Sequence, residues 1–359
     1  MTSPGDDILF MHRAITLARL GLANTSPNPR VGAVVVHEGR IIGEGFHRKA
    51  GEGHAEVNAI AAVKPADVAL LRNSTIYVTL EPCSHYGKTP PCAKLLIDKG
   101  IRRVVIGSTD PSPKVNGKGI AMLREAGIEV TVLSGEISRQ CSDLNPEFLS
   151  RYDLSRPFIT LKWAQTASGC MADEHGKPIA ISTPLTSTLV HSLRARHDVI
   201  LTSSATVCSD NPRLDTRFWN TGNAPLRAVI DRRGTVPPGA NIFAGDPRKT
   251  LYFTSHRRAD LPDAEQILLP EDESLQLPFI VEELSRRGFN SILVEAGPKL
   301  LRSFISAGLY DRIRVETNTA LSGTSPFTAP EIPSSLSLAS RTKLAGNIIC
   351  DYFAKNQPK

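Results

Sequence analysis

Short β-branched runs and longer amphipathic stretches alternate along the first half of the chain. Strands are predicted at "VGAVVV", "IIGEGF", "STIYVTL", "RVVIG" and "IEVTVL", and the first two flank "HEGR" as in a β-hairpin. Helices are predicted in the opening stretch and at "HAEVNAIAAV", "PCAKLLIDKG" and "GIAMLREAG". Because helices follow strands so regularly, we expect a largely parallel, helix-covered sheet, which is an α/β fold.

A polar segment interrupts this alternation in the middle of the chain. It is "DLNPEFLSRYDLSRP", residues 143–157, and a second α/β pattern begins after it at "FITLKWA". Further strands are predicted at "DVILTSS", "LRAVIDR", "TLYFTS", "SILVEAG" and "IRVETN", with helices at "TPLTSTLVHSLRAR", "PFIVEELSRRG" and "PKLLRSFISAGL". No structure is predicted for "SGTSPFTAPEIPSSLS", residues 322–337. We expect two domains, residues 1–147 and 148–359.

The composition is that of a soluble globular protein. The 359 residues are 41% hydrophobic and 22% charged, and they are enough for two cores. The net charge is +6, but the basic residues are dispersed, which favours a solvated surface over a nucleic-acid-binding face. The first residues are typical of a capped helix rather than a secretory signal, and no apolar run approaches about 18 residues. We expect a cytoplasmic protein whose partners include neither nucleic acid nor membrane.

Two of the six cysteines lie close together in the sequence. Cys83 and Cys92 enclose eight residues in "LEPCSHYGKTPPC". The other four are isolated from one another, which indicates reduced thiols rather than a disulfide framework: Cys141, Cys170, Cys208 and Cys350. Only the close pair suggests a chemical role.

A histidine upstream completes a metal-ligand set with this pair. "GEGHAEVNA" supplies His54 and Glu56 at the start of a predicted helix. Zinc binds nitrogen and thiolate ligands tetrahedrally, and a catalytic site keeps three protein ligands so that water can take the fourth position. His54 and Cys92 each fall in a first helical turn, where backbone N–H groups favour a thiolate. The sequence therefore predicts one zinc ion per chain at His54, Cys83 and Cys92.

Glu56 has the position of a proton carrier in this set. It follows the histidine by two residues, near enough to reach a metal-activated water without ligating the metal. Zinc lowers the pKa of such a water to about 7, and an adjacent carboxylate can take its proton and pass it to a departing amine. The pattern H-x-E followed by P-C and a second cysteine is typical of zinc deaminases. We predict hydrolytic deamination of an amino-substituted ring, with Glu56 as the catalytic residue.

The spacing between the cysteines is unusual for that class. Many zinc deaminases have C-x-x-C, whereas eight residues separate Cys83 from Cys92 here. Residues in the extra length are candidates for substrate contacts: His85, Tyr86, Lys88 and Thr89. Two alternatives stay open from the residues alone. In the first, the residues form a structural zinc site. In the second, the two cysteines are core residues that never meet the histidine.

Five segments resemble the RibD family of riboflavin biosynthesis enzymes, in the same order along the chain. They are "SPNPRVGAVVV", "GFHRKAGEGHAEVNA", "YVTLEPCSHYGKTPPC", "LTSSATVCSDNPRLDTR" and "VEAGP". The resemblance implies a cytidine-deaminase-like three-layer domain followed by a dihydrofolate-reductase-like domain. The first would deaminate a phosphoribosylaminopyrimidine, and the second would reduce its ribosyl side chain to ribityl with NADPH. The resemblance also implies a homodimer formed through the reductase domain.

The resemblance assigns further roles in the first domain. It implies the same zinc ligands and the same proton carrier. It adds substrate contacts at Asn28, His47, Asp110 and Lys114. The family usually has asparagine where this chain has Ser112, which still donates a hydrogen bond.

The second half has no G-x-G-x-x-G motif, which argues against a dinucleotide-binding Rossmann unit. "SILVEAGPKLL" instead predicts a strand, a tight turn and a helix, whose start favours a phosphate. The resemblance implies NADPH contacts at Ala164, Thr206, Asp210, Ala296, Gly297, Pro298, Lys299 and Leu300. It implies substrate contacts at Lys162, Arg194, Leu214, Arg217 and Glu295, and the arginines suit a phosphate.

The segment "DEHGKPIAIST" departs from the family. Many members have a serine and a tryptophan where this chain has Pro178 and Ala180, so no aromatic wall is expected there. Three other hypotheses about the function compete with the bifunctional enzyme. They are an active deaminase with an impaired or altered reductase, a nucleic-acid base deaminase with an unrelated C-terminal domain, and a non-catalytic zinc-stabilised scaffold in which Glu56 is dispensable.

Overall fold

Two β-sheets, one in each unit of the chain, organise the structure. The computed structural model describes residues 4–21, 24–86, 90–219, 224–244, 250–261 and 264–354. The chain divides into the units Met1–Leu154 and Ser155–Lys359. The predicted boundary at residues 147 and 148 lies within the last helix of the first unit, Pro146–Asp153.

The first unit has a five-stranded sheet in the order β2-β1-β3-β4-β5. Its strands are β1 (Gly32–His37), β2 (Arg40–Phe46), β3 (Thr75–Val78), β4 (Arg103–Ile106) and β5 (Glu129–Val132). Its helices are α1 (Pro4–Ala18), α2 (Ala55–Ala61), α3 (Cys92–Asp98), α4 (Lys118–Glu125), α5 (Glu136–Ser142) and α6 (Pro146–Asp153), with 3-10 helices at Arg19–Gly21 and Pro65–Asn73. β1 and β2 form the predicted antiparallel hairpin, and β3, β4 and β5 are parallel.

Alternating residues of the central strands face two helical layers. Val34 and Val36 pack in one cluster with residues of α1 and α5. Ala33 and Val35 pack in the other, with residues of α2, α3 and α4. This period-two alternation follows from the pleat of a strand, and it produces the expected three-layer arrangement. The predicted strands and helices of this unit are confirmed, whereas α5 and α6 were not predicted.

The second unit has a nine-stranded sheet in the order β10-β9-β8-β7-β11-β6-β12-β14-β13. Its strands are β6 (Phe158–Thr166), β7 (Val199–Ser203), β8 (Leu226–Ile230), β9 (Leu251–Thr254), β10 (Glu265–Leu268), β11 (Ser291–Glu295), β12 (Arg312–Asn318), β13 (Leu336–Leu344) and β14 (Asn347–Ala354). Its helices are α7 (Pro184–Ala195), α8 (Ser204–Asp210), α9 (Glu273–Arg286) and α10 (Pro298–Ser306), with a 3-10 helix at Asn241–Phe243. In this sheet order, the seven strands from β10 through β12 are parallel to their neighbours. The pairs β12–β14 and β14–β13 are antiparallel.

Helices cover both faces of this second sheet. Ile292 and Val294 of β11 pack on the side of α9 and α10, and Leu293 packs on the side of α7 and α8. The strands and helices predicted for this half are confirmed, whereas α8, β10, β13 and β14 were not predicted. Within the described residues, no helix is both long enough and apolar enough to cross a membrane.

Candidate functional site

The predicted metal ligands of the first unit lie together. His54 is the residue before α2, Cys92 is the first residue of α3, and Cys83 lies in the segment after β3. The Nδ1 atom of His54 is 3.6 Å from Sγ of Cys83 and 3.3 Å from Sγ of Cys92. The three ligand atoms all lie within 4.8 Å of one another. The alternative in which the cysteines never meet the histidine is therefore wrong.

The environment of the two thiols favours a single thiolate, at Cys83. The backbone N–H of Cys92 donates to Sγ of Cys83 over 3.2 Å. Hydrogen bonding from the Cys92 thiol, opposed by burial and helped by His54, lowers the pKa of Cys83 to about 4. The Cys83 sulfur and burial raise the pKa of Cys92. Two such thiols beside one imidazole are a donor set that fits zinc, because a cation removes the competition between the two thiolates.

Glu56 is buried beside this cluster. Its side chain is only 3% exposed. Burial raises its pKa, and the Cys92 side chain is among its hydrogen-bonding partners. A buried carboxyl with a raised pKa suits a group that takes up and releases a proton during catalysis. The sequence prediction of its location is thus matched by its environment.

His47 and Asn28 lie next to the cluster. The rings of His47 and His54 are 5.4 Å apart in an edge-to-face arrangement. His47 Nδ1 is 3.1 Å from the carbonyl oxygen of Gly53, and His47 Nε2 is 3.2 Å from Nδ2 of Asn28. Since burial lowers the pKa of His47, the neutral ring donates from Nδ1 to Gly53 and accepts at Nε2 from Asn28. This fixes the amide of Asn28 beside the metal ligands.

The segment after β4 approaches the same place. Asp110 is buried, and burial, opposed by the Ser112 N–H and helped by Glu81, raises its pKa to about 6. Ser112 N–H donates to Asp110 Oδ1 over 2.8 Å, and Ser84 donates to the carbonyl oxygen of Lys114 over 3.3 Å. His85 is exposed. The predicted contacts Lys88 and Thr89 lie outside the described residues.

A cavity of about 1040 Å³ lies in the second unit. Nearly all of the predicted cofactor and substrate residues of this half line it: Lys162, Ala164, Arg194, Thr206, Asp210, Leu214, Glu295, Ala296, Gly297, Pro298, Lys299 and Leu300. Many of them follow or end the parallel strands β6, β7 and β11. The carboxyl ends of parallel strands form the usual ligand crevice of an open α/β sheet.

A buried ion pair forms part of the lining of this cavity. Arg194 binds Glu295 with two hydrogen bonds, Nε to Oε1 at 2.7 Å and Nη2 to Oε2 at 2.9 Å. Burial alone would raise the pKa of Glu295, but the charge and hydrogen bonds of Arg194 lower it to about 2. Lys162 is the register partner of Glu295 in the next strand, and burial lowers its pKa. The cavity therefore holds an ionised carboxylate fixed by Arg194, with Lys162 beside it on the neighbouring strand.

Two loops at the edge of the cavity are joined by a hydroxyl group. Thr206 lies in the first turn of α8, and its Oγ1 accepts from the N–H of Gly297 over 3.1 Å. Gly297 directly precedes α10, which begins at Pro298. The first turn of this helix therefore faces the same cavity, as the strand-turn-helix pattern predicts.

Arg217 is the one predicted residue of this half that is not among those lining the cavity. Its guanidinium binds Asp215 over 2.5 Å and lies over the ring of Phe218. His191 accepts from the N–H of Phe218 over 3.4 Å. These contacts hold Arg217 at an exposed position outside the lining of the cavity, which sequence spacing alone does not reveal.

An aromatic residue stands in the cavity despite Ala180. Pro178, Ala180 and Phe327 all line it. The N–H of Met171 donates to the carbonyl oxygen of Phe327 over 2.9 Å, which fixes this segment. A Cβ atom at Gly176 would lie 2.9 Å from the Phe327 ring, and Gly176 has a φ of +78°, so only glycine fits. Phe327 was not predicted to lie here, because it falls in residues 322–337, where the hydrophobic pattern predicts no structure.

Both units match models of known families. Residues 157–349 match the RibD C-terminal domain, and residues 4–108 match the cytidine and deoxycytidylate deaminase zinc-binding region. The chain belongs to the RibD family. The expected family is thus confirmed, and both parts of its bifunctional enzyme, the deaminase and the reductase, are present in one chain.

Relatives in the RibD family align over most of their length. The riboflavin biosynthesis protein RibD of Aquifex aeolicus is 38% identical over 308 residues, which are 85% of this chain and 85% of that protein. The RibD of Bacillus amyloliquefaciens is 40% identical over 310 residues, 85% of this chain and 82% of that protein. The RibD of Escherichia coli is 38% identical over 323 residues, 86% of each chain.

Solved structures of RibD proteins share the whole architecture. Acinetobacter baumannii RibD superimposes with a TM-score of 0.86 at 32% identity, covering 98% of this chain and 99% of that one. A diaminohydroxyphosphoribosylaminopyrimidine deaminase/5-amino-6-(5-phosphoribosylamino)uracil reductase of Thermotoga maritima gives 0.86 at 34% identity, with 98% and 99% covered. An unrelated C-terminal domain is excluded by these matches. The zinc-binding region and the reductase domain imply zinc and NADPH as cofactors of the family.

Proposed function

We propose that this chain deaminates 2,5-diamino-6-(5-phosphoribosylamino)pyrimidin-4(3H)-one and then reduces the ribosyl side chain of the product to ribityl. The observation that carries the first activity is the cluster of His54, Cys83 and Cys92 with Glu56 buried beside it. A nucleic-acid base deaminase is less well supported, because the C-terminal unit is a RibD reductase domain.

In the first unit, His54, Cys83 and Cys92 would hold one zinc ion. Zinc would supply a Lewis acid that lowers the pKa of a bound water to about 7. Glu56 takes a proton at its carboxylate and later donates it to the leaving amine. His47 and Asn28, held by their mutual hydrogen bond, orient the pyrimidine.

The proposed phosphoribosyl contacts extend from this centre. Asp110 and Lys114 follow β4, and His85, Lys88 and Thr89 follow Cys83. A lysine offers a point charge to phosphate, and a carboxyl offers an acceptor to ribose hydroxyls. We infer that the long C-x8-C loop serves this larger, free substrate rather than a base within a nucleic acid.

In the second unit, the cavity would hold NADPH and the deaminated intermediate together. Thr206, Asp210 and residues 296–300 lie where the cofactor would bind, by likeness to the family. Hydride transfer requires mainly that the donor and acceptor carbons are oriented against each other. Lys162 and the Arg194–Glu295 pair would hold the sugar, since together they offer both donors and a fixed acceptor.

A coupled assay tests the bifunctional assignment. The protein is given the phosphoribosyl diaminopyrimidine with and without NADPH, while ammonia release and NADPH absorbance are followed. We expect ammonia in both cases and NADPH oxidation only after the deaminated intermediate forms. Ammonia release without any NADPH oxidation would instead support a deaminase with an impaired reductase, and this would contradict the second activity.

Zinc content provides the first prediction. We expect about one zinc ion per chain in the wild type, and a near-complete loss in Cys92→Ser, because two ligands seldom retain the metal. Deamination should disappear in parallel while NADPH oxidation by the second unit persists. Elemental analysis after gel filtration measures the metal. Cys141→Ser is the matched control, since Cys141 is a buried thiol of the same unit in another cluster.

We also propose a homodimer formed through the reductase unit. β13 is the last strand of its sheet, and residues 337–343 are exposed along it. An exposed edge strand is a ready surface for a second copy. Sedimentation velocity at micromolar concentration should give the mass of two chains. A monomer under these conditions would contradict the proposal.

A further inference from the structure

Glu81 is a buried carboxylate that the deamination chemistry does not use. It lies in the segment between β3 and Cys83 and is 4% exposed. Its Oε1 accepts from the N–H groups of Gly119 and Ile120 over 3.0 and 3.2 Å. Its Oε2 accepts from the N–H of Gly117 over 3.1 Å and from that of Asp110 over 3.4 Å. One side chain thus binds four backbone amides of the segment from residue 110 to residue 120.

These amides belong to two parts of that segment. Three of them come from the first turn of α4 and the residue before it, where backbone N–H groups lack helical partners. The fourth belongs to Asp110, at the other end of the loop. Because one carboxylate bridges both ends, it closes the loop that carries Asp110 and Lys114.

The same residue is tied to the metal loop. Glu81 is two positions before Cys83, and its own N–H donates to the carbonyl oxygen of Ser108 over 3.0 Å. A Cβ atom at Gly119 would lie 2.1 Å from the carbonyl oxygen of Pro82, so the helix start and the metal loop are in direct contact. Ser84 adds a hydrogen bond to the carbonyl oxygen of Lys114 over 3.3 Å. Any movement of Glu81 would therefore change the distance between the two loops.

The charge of Glu81 is balanced by these amides. Among the described residues, no lysine or arginine forms an ion pair with it. Hydrogen bonds to an ionised acceptor are stronger than those between neutral groups. A glutamine at this position would replace one acceptor oxygen by an NH₂ group that faces N–H donors. The change keeps the shape of the side chain but removes half of its contacts.

We propose that Glu81 is a positioning residue of the deaminase, which sets the place of Asp110 and Lys114 relative to the metal cluster and thereby the affinity for the phosphoribosyl group. The inference rests on the proposed function, because it assumes that this loop binds the substrate. It adds a residue that touches neither metal nor substrate and acts through the backbone of the loop.

The experiment compares two substrates in wild type and Glu81→Gln. One is the phosphoribosyl diaminopyrimidine and the other is the same compound without its phosphate. We expect the variant to raise KM for the phosphorylated substrate by about tenfold, with kcat changed by about twofold at most, because small misplacements of binding groups have large effects. KM for the dephosphorylated compound should change little, and zinc content should stay near one per chain.

Asp7→Asn controls for the loss of any buried carboxylate in this unit. Asp7 accepts from Tyr77 and Arg103, away from the metal loop, so its variant should leave both KM values unchanged. Gly119→Ala is a second test, since its added methyl group pushes the helix start from Pro82 without altering charge. It should raise the same KM.

Different results would contradict the positioning role of Glu81 and the deaminase activity itself. Equal losses with both substrates, a loss of zinc, or an unchanged KM in Glu81→Gln and in Gly119→Ala would each overturn the positioning role. Absence of ammonia release by the wild type would refute the proposed function itself. If Glu81→Gln does not fold, the KM of Gly119→Ala decides the question.

Discussion

Replacing Glu56 with glutamine is expected to lower kcat for deamination by about 10³-fold, because the amide has the size of the carboxyl but cannot carry a proton. Glu56 is buried against the cluster of His54, Cys83 and Cys92, and burial raises its pKa. The variant should therefore fold and bind zinc while losing the step that moves the proton. Ammonia release from the diaminopyrimidine measures the effect.

Two controls make the result specific. Glu52→Gln changes an exposed glutamate of the same loop and should leave kcat unaltered. The reductase, assayed with the deaminated intermediate, serves as an internal reference because it lies in the other unit. Undiminished ammonia release by the Glu56→Gln protein would show that the cluster is a structural site, and the zinc-stabilised scaffold would then be the better interpretation.

Breaking the Arg194–Glu295 pair is expected to have the second large effect. In Arg194→Met, Glu295 stays buried without its partner, which typically costs about 3–5 kcal/mol of stability. The same change removes a proposed substrate contact, so kcat/KM of the reductase should fall by about 10²-fold or more. Both tryptophans of the chain, Trp163 and Trp219, lie in the second unit, so their fluorescence during urea unfolding reports the stability of that unit alone.

The double variant Arg194→Met/Glu295→Gln separates stability from activity. Removing both charges eliminates the unpaired carboxylate, and we expect most of the lost stability to return while the reductase stays inactive. Recovery of activity in the double variant would contradict a role of the pair in binding. Ammonia release by the first unit should be the same in the wild type, in Arg194→Met and in the double variant.

The pH dependence of this pair follows from the lowered pKa. Against the effect of burial, the charge and hydrogen bonds of Arg194 lower the pKa of Glu295 from its ordinary 4.5 to about 2. Its ionised form therefore adds stability that is fully present above pH 4.5 and is lost as the pH falls towards 2. In the wild type, Glu295 stays ionised from neutral pH to pH 5, so kcat/KM of the reductase should show no titration of this group in that range. In Arg194→Met, the residual kcat/KM of the reductase should decrease towards acid pH, because Arg194 no longer lowers the pKa of Glu295.

Local patterns carried most of the information about secondary structure. β-branched runs and amphipathic stretches predicted the strands and helices around both sites, because side-chain periodicity reports which face of an element is buried. β13 and β14 were not predicted. Their residues are mostly exposed or half-buried on one side of a sheet edge, so they show little contrast between hydrophobic and polar positions.

The predicted metal site could be recognised in the sequence because few residue types serve as zinc ligands. A histidine and a glutamate at one helix start, followed by two cysteines of which the second begins another helix, have few other reasons to occur in that order. The structure brings the three predicted ligand atoms within 4.8 Å of one another. The reductase cavity was readable only through resemblance, since hydride transfer needs orientation more than particular functional groups. The resemblance also implies a substrate contact at Arg217, but its contacts with Asp215 and Phe218 hold it outside the lining of the cavity.

The sequence alone predicts two α/β domains, the candidate zinc ligands His54, Cys83 and Cys92, and Glu56 beside them. These features depend on residue type and short spacing. The packing of the chain, by contrast, is what brings Phe327 into the lining of the cavity with Ala180 and sets Glu81 against four backbone amides of a loop about 30 residues further along the chain. Backbone N–H groups are the same for nearly every residue, so no sequence pattern records which of them a buried carboxylate will meet.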